Sequence, residues 1–207
     1  MKILELMMVL VLLVMQPVCV YANEITSDIV LDRTEGTIYV GDSRFNGMEM
    51  HLKKGDGYVV AKDSMGYKWL VTEALPAIEN IKATHTDITE WTIVSGLGVN
   101  DLYNIDNYIQ VYKNLEAAGY RVVALSVNPT NHKRVGLNEE INVFNFKLSQ
   151  SGLEYFDLNR HLLDVGFDTV DGLHYKKATY QEIWNEINWY LTHQSEENKE
   201  YDWMCLN

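Results

Sequence analysis

The sequence predicts an α/β protein built on a five-stranded, mainly parallel sheet. Short runs of β-branched and aromatic residues alternate with longer stretches of helical period, the pattern of βα units wound around parallel strands. The composition, 47% hydrophobic and 22% charged over 207 residues, is that of an ordinary folded chain. No internal repeat, low-complexity tract or linker interrupts the series to mark a second domain.

Residues 1–22 read as a signal peptide. Lys2 gives a short basic start, Leu6 to Met15 is an unbroken apolar run, and Val20-Tyr21-Ala22 offers a small-residue cleavage site. An uncleaved anchor is the alternative, since Glu5 weakens the basic start and apolar character continues through Val20. Gln16 and Pro17 break that run, however, short of the roughly 20 apolar residues a membrane span requires. Cys19 lacks the small residue expected just ahead of a lipidated cysteine. The expectation is therefore an exported chain with no stable membrane insertion after cleavage, residues 23–207 forming one domain. Once Cys19 leaves with the signal, Cys205 is the last of the two cysteines, so no internal disulfide can form and thiol catalysis is disfavoured.

In the body of the chain, strands are expected at Thr37 to Val40, Gly57 to Ala61, Glu90 to Val94, Arg121 to Val127 and Leu153 to Phe156. Between them, Tyr67 to Lys82 carries Leu70, Leu75 and Ile78 at helical spacing, with Pro76 placed to kink or divide the helix. Asp106 to Ala118 lines up Tyr108, Ile109, Tyr112 and Leu115, and Gly119 stands where a helix stops. Asn138 to Gln150 turns Ile141, Phe144 and Leu148 inward. The last helix, Ala178 to His193, sets Ile183, Ile187 and Leu191 four apart, with the polar run Gln194 to Glu200 expected to fray. Asn128 to Asn138 is the longest irregular stretch and follows a strand's carboxyl end, the edge at which open α/β sheets bind ligands.

A formal charge of -12 repels phosphate backbones, so nucleic acid is an unsuitable partner. Three short blocks carry the candidate chemistry. Gly41-Asp42-Ser43-Arg44 follows the first strand and would project the Ser43 hydroxyl from a tight turn at the sheet edge. Gly98-Val99-Asn100-Asp101 follows the third strand and places an amide donor beside that turn, where it can stabilise a developing oxyanion. Asp171-Gly172-Leu173-His174 precedes the last helix, and a spacing of three lets the Asp171 carboxylate reach the His174 ring, as a base that deprotonates a serine requires. Each block alone also suits an ordinary turn or helix cap, with Ser43 as an N-cap and Asn100 bonded to its own backbone. Their joint occurrence, in order and each at its expected place, is what points to nucleophilic catalysis.

These blocks resemble those of the SGNH/GDSL hydrolase family almost residue for residue, and the resemblance runs from Thr37 to the last helix. It implies a flavodoxin-like three-layer α/β/α sandwich and a metal-free acyl-ester hydrolase, with Ser43 as nucleophile and Asp171 and His174 completing the triad. By the same resemblance the oxyanion hole comprises the backbone N–H groups of Ser43 and Gly66 and the side chain of Asn100, Gly66 being the loosest match. Arg44 departs from the leucine or isoleucine common after the family's serine; small exported bacterial members with arginine there are similar, so it reads as a subgroup trait, whose charge would favour an anionic substrate. No cofactor is implied.

The remaining candidates are weaker. His85 with Asp87, and His51 or His161, lack metal-ligand spacing, so no metal site is expected. Glu49 and Asp63 read as solvated acids. Trp69, Trp184 and Trp189 read as packing residues on helices, with Trp69 also placed to wall a pocket near Gly66. The expected function is a secreted serine esterase hydrolysing short acyl esters, acetyl above all, on a small molecule or an extracellular carbohydrate. An O-acyltransferase and a non-catalytic carbohydrate-binding domain on the same scaffold are the alternatives.

Overall fold

The computed structural model describes residues 34–51 and 57–205, with side chains described to residue 193. The segment expected to be a signal peptide, and the side chain of Cys205, lie outside the described residues. Five strands, β1 (Glu35–Gly41), β2 (Tyr58–Ala61), β3 (Glu90–Ser95), β4 (Arg121–Leu125) and β5 (Glu154–Phe156), form one sheet in the order β2-β1-β3-β4-β5. All four pairings are parallel. This is the flavodoxin-like order, and it reverses direction at β1 and β3.

Helices cover both faces. After β1 comes α1 (Ser43–Glu49). After β2 come α2 (Tyr67–Trp69), a π-helical turn (Leu70–Ala74) and α3 (Leu75–Thr84), then after β3 α4 (Ile105–Ala117), after β4 α5 (Leu137–Ser149), and after β5 α6 (Leu158–Val165) and α7 (Lys177–Cys205). The alternation of side chains along β1 assigns the layers. Ile38 and Val40 join Ile93, Val122 and Ala124 beneath Ile78 of α3, Tyr108 of α4 and Ile141 and Phe144 of α5. Tyr39, one residue out of phase, joins Val94 and Val123 on the opposite face under Phe45 and Met48 of α1, Leu162 of α6 and Trp184 of α7. Trp184 meets the Tyr39 ring edge-on at 5.1 Å.

The differences from the expected elements have physical causes. Pro76 has no N–H to donate, and the preceding turn widens so that the Leu75 N–H reaches the Leu70 carbonyl, an i to i−5 bond. β4 stops at Leu125 rather than Val127 because the Asn145 side chain takes both backbone groups of Val127, accepting from its N–H at 2.7 Å and donating to its carbonyl at 2.9 Å. α6 adds to the expected elements: Asp157 caps it through the Arg160 N–H, Leu158 and Leu162 point inward, and Gly166 ends it at φ 87°. α7 continues to Cys205 through the run expected to fray, which is rich in the good helix formers Glu, Gln and Lys. Among the described residues no helix is long and apolar enough to cross a membrane.

Candidate active site

The carboxyl ends of β1 and β3 flank the point where the strand order reverses, and two of the three blocks sit there. β1 ends at Gly41, where a Cβ would collide with the Phe45 ring, and Gly96 after β3 would collide with the same ring. These two glycines let Phe45 pass beneath the turn, which brings α1 straight off the strand. Asp42, fully buried, caps α1 by accepting from the Arg44 N–H at 3.0 Å. Ser43 is therefore not the cap: it is the first helical residue, its N–H is one of the first-turn donors that no helical carbonyl takes, and its hydroxyl is left for another partner.

That partner is His174. Its Nε2 lies 2.8 Å from Ser43 Oγ, and its Nδ1 lies 2.7 Å from Asp171 Oδ2. The other carboxylate oxygen of Asp171 accepts from the Leu173 N–H at 2.9 Å and the His174 N–H at 2.8 Å. The His174 N–H foremost, then the His174 ring and the Leu173 N–H, hold the Asp171 carboxyl well below the usual carboxylate range. An ionised Asp171 can only accept, so Nδ1 carries the ring proton and Nε2 is left to accept from the serine hydroxyl. A bridge between Thr169 and Tyr175, with the Val170 N–H donating to the His174 carbonyl at 2.7 Å, closes the loop into a hairpin. The three side chains thus form one hydrogen-bonded series linking residues 131 positions apart.

Asn100 lies across from them. Its Nδ2 donates to the Met65 carbonyl at 2.8 Å and to Asp42 Oδ2 at 3.2 Å, so the amide joins the loop after β2 to the turn that carries Ser43 rather than bonding its own backbone. Both amide hydrogens are engaged, and donation to an oxyanion would replace the longer bond, that to Asp42. Gly66 precedes α2 directly, and a Cβ there would overlap the Asp101 carboxylate. Asp101 accepts from the Tyr67 N–H at 2.7 Å, from the Tyr108 hydroxyl at 2.6 Å and from Asn104 Nδ2 at 2.9 Å. It sets where Gly66 stands relative to Asn100, a role the sequence reading did not assign; its place next to Asn100 in the block was the available signal. Burial, with the bond to Asp101 second, raises the Tyr108 hydroxyl well above its usual range, so it remains a donor.

Ser43 and His174 open onto a cleft of about 510 Å3 shared with Asn46, Gly47, Asp63, Ser64 and Tyr180. Ser64, at φ 60°, also borders a second hollow of about 310 Å3 lined by Met65, Gly66, Trp69, Asn100 and Asp101. Asp63 is exposed, as expected, yet it accepts from Asn46 Nδ2 at 2.6 Å on the cleft wall. Trp69 is at once a core residue and a wall of the second hollow. Trp184 is buried, whereas Trp189 is exposed and stacks on His193. Arg44 is buried and is not among the residues that line the cleft. Elsewhere, among the described residues, His161 of α6 and Glu182 and Glu186 of α7 bring donor atoms within 4.8 Å of one another. The ring lies 2.8 Å from Glu182 and 3.6 Å from Glu186, a polar cluster between the two helices that no sequence spacing reveals.

No protein-family model and no curated protein matches the sequence. Solved structures do match the fold. The chain aligns with the C-terminal catalytic domain of peptidoglycan O-acetyltransferase A from Streptococcus pneumoniae at a TM-score of 0.57 and 17% identity, covering 79% of this chain and 96% of that one. A lipolytic protein of the G-D-S-L family from Veillonella parvula aligns at 0.55 and 13%, over 72% and 93% of the two chains. The acetyl xylan esterase AlAXEase aligns at 0.53 and 16%, over 73% and 97%. The α/β/α architecture is the fold that these solved structures share with this chain.

Proposed function

We propose that the chain is an exported serine hydrolase of the SGNH/GDSL type that cleaves short acyl esters, with Ser43, His174 and Asp171 as its triad. The observation that carries this reading is the unbroken series from Ser43 Oγ to His174 Nε2 at 2.8 Å and from His174 Nδ1 to Asp171 at 2.7 Å. It provides a hydroxyl, a base in the required tautomer and a carboxylate to stabilise the imidazolium. In the first step Ser43 Oγ bonds to the ester carbonyl carbon while its proton passes to His174 Nε2. The oxyanion forms beside the Ser43 and Gly66 N–H groups and the Asn100 amide. Collapse breaks the ester bond and His174 returns the proton to the departing alcohol. Water, deprotonated by the same ring, then attacks the acyl-serine, and Ser43 leaves with the proton as the acid is released.

The open cleft, to which Asn46, Asp63 and Tyr180 bring hydrogen-bonding groups, suits a small acyl group on a hydroxyl-rich carrier such as a carbohydrate. A second reading, acyl transfer to a sugar hydroxyl instead of water, is favoured by the fold shared with an O-acetyltransferase domain. The intact triad weighs against a purely carbohydrate-binding domain. The test is hydrolysis of p-nitrophenyl acetate and butyrate by the mature chain beside a folded Ser43→Ala variant. We expect kcat to fall by on the order of a millionfold in the variant; equal activity in both would remove Ser43 from the mechanism. Acyl transfer to an added alcohol outrunning hydrolysis would select the transferase reading.

A further inference from the structure

Arg44 is buried, 6% exposed, directly after the nucleophile, a place where a cation is costly unless its surroundings repay it. Its Nη1 donates to the Asn128 carbonyl at 3.1 Å, and its guanidinium lies 5.2 Å from the centre of the Tyr175 ring, within cation–π range. Nε and Nη2 are buried without a hydrogen-bond partner among the described residues. Arg44 therefore touches two segments distant in sequence: the loop after β4 and the residue that follows His174. Those segments are themselves joined, since the Tyr175 hydroxyl donates to the Pro129 carbonyl at 2.6 Å and the Asn131 N–H to the Gly172 carbonyl at 2.9 Å.

We propose that Arg44 is a positioning residue: its guanidinium ties the helix that begins at Ser43 to the loops that hold His174, and so sets the serine-to-base distance. The assignment rests on the hydrolytic reading above. A leucine or methionine could fill the volume but would neither hold the Asn128 carbonyl nor carry a charge. The charge matters because Asp42 is fully buried one residue before Ser43. Burial pushes the Asp42 carboxyl up, and the Arg44 charge is the largest influence opposing that. The other groups facing Asp42 are His174, Asp101 and Tyr175 from the neighbouring loops, Tyr108 from α4 and Tyr180 from α7. An ionised Asp42 accepts from Asn100, so Arg44 reaches the oxyanion side as well as the base.

The experiment measures kcat, KM and the pH profile of p-nitrophenyl acetate hydrolysis for Arg44→Met and Arg44→Lys, with circular dichroism to establish folding. Arg44→Met should lose about tenfold to a hundredfold in kcat at little change in KM, as small misplacements of reacting groups do. Its acid limb should move to higher pH, because Asp42 without its cation takes up a proton more readily. Arg44→Lys should restore the limb, since an ammonium supplies the charge, but not the full kcat, since it lacks the planar fork that spans Asn128 and Tyr175. A folded Arg44→Met with the parent's kcat and profile overturns the assignment, as does a kcat loss with an unmoved limb, the mark of a purely structural role. Should Arg44→Met not fold, Arg44→Lys decides: lowered kcat with the parent's limb upholds the proposal, and any other result overturns it. Ser43→Ala in the same assay separates the two failures, because activity persisting there overturns the hydrolytic reading and this assignment with it.

Discussion

Gly41–Arg44 and Asp171–His174 meet through a single hydrogen bond, yet they are held in place by different means. The serine turn is welded to the core: Asp42 is fully buried, Phe45 fits beneath Gly41 and Gly96, and α1 packs on the sheet. The base loop lies at the surface, with side chains 38% exposed at His174 and 54% at Asp171. Short-range bonds to the Asp171 carboxylate and the bridge between Thr169 and Tyr175 shape it, and bonds from the Asn131 N–H to Gly172 and from the Tyr175 hydroxyl to Pro129 fasten it to the loop after β4. Tertiary packing thus places the serine, while local hydrogen bonding orients the histidine. Substitutions at the two regions should accordingly separate losses of rate from losses of stability.

The sharpest test is Asp171→Asn. The amide retains an oxygen for the Leu173 and His174 N–H groups but cannot stabilise an imidazolium, so kcat should drop by on the order of 10² to 10⁴ while the thermal midpoint barely moves. A collapse of stability would show that the loop depends on more than its local bonds. The same carboxyl sets a pH expectation. Its folded pKa is depressed, so its contribution is present above the ordinary value and is lost only as pH falls through the lowered one. Mild acid should therefore silence the enzyme through another group, and Asp171 should remain ionised by carboxyl-resolved NMR throughout that range.

Asn100→Ala probes the opposite wall. Removing one oxyanion donor costs on the order of 10² to 10³ in kcat with KM little changed; a smaller loss would mean that the amide stays committed to Asp42 and Met65. Gly66→Ala should act mainly on stability, by about 1 to 3 kcal/mol in urea unfolding, because the added methyl drives the Asp101 carboxylate from the Tyr67 N–H. Unchanged stability there would show that Asp101 does not fix the loop at Gly66.

The smallest effect is expected at alkaline pH. Burial pushes the Tyr175 hydroxyl up to about 12. A raised folded pKa means that the unfolded chain gives up this proton first, so stability is intact below about pH 10 and declines as pH rises toward 12. Tyr175→Phe should flatten that decline in urea titrations, and an unchanged slope would show that the proton comes from other tyrosines.

Much of this was legible residue by residue. Ile38, Tyr39 and Val40 announce a strand buried on both faces, the helical period of Tyr108, Tyr112 and Leu115 announces α4, and the blocks at Ser43, Asn100 and Asp171–His174 stand at the ends of their predicted elements. α6 escaped because eight residues with two inward leucines are too short for periodicity to separate from a loop. The place of Arg44 escaped because no local pattern marks a charged side chain as buried; the loops that cover it are distant in sequence. Asn46 and Asp63 carry no local mark at all; they share a wall only because α1 and the end of β2 converge.

The sequence by itself determined the elements, their parallel winding and the residue types available for chemistry, because these follow from local period, turn chemistry and short motifs. The tertiary structure alone decided which of those residues touch. The 2.8 Å contact between Ser43 and His174, the anchoring of Gly66 by Asp101 and the burial of Arg44 beneath Tyr175 each join segments far apart along the chain. Such distances are set by how the strands are ordered and how the helices pack across them, and no spacing within a single segment encodes them.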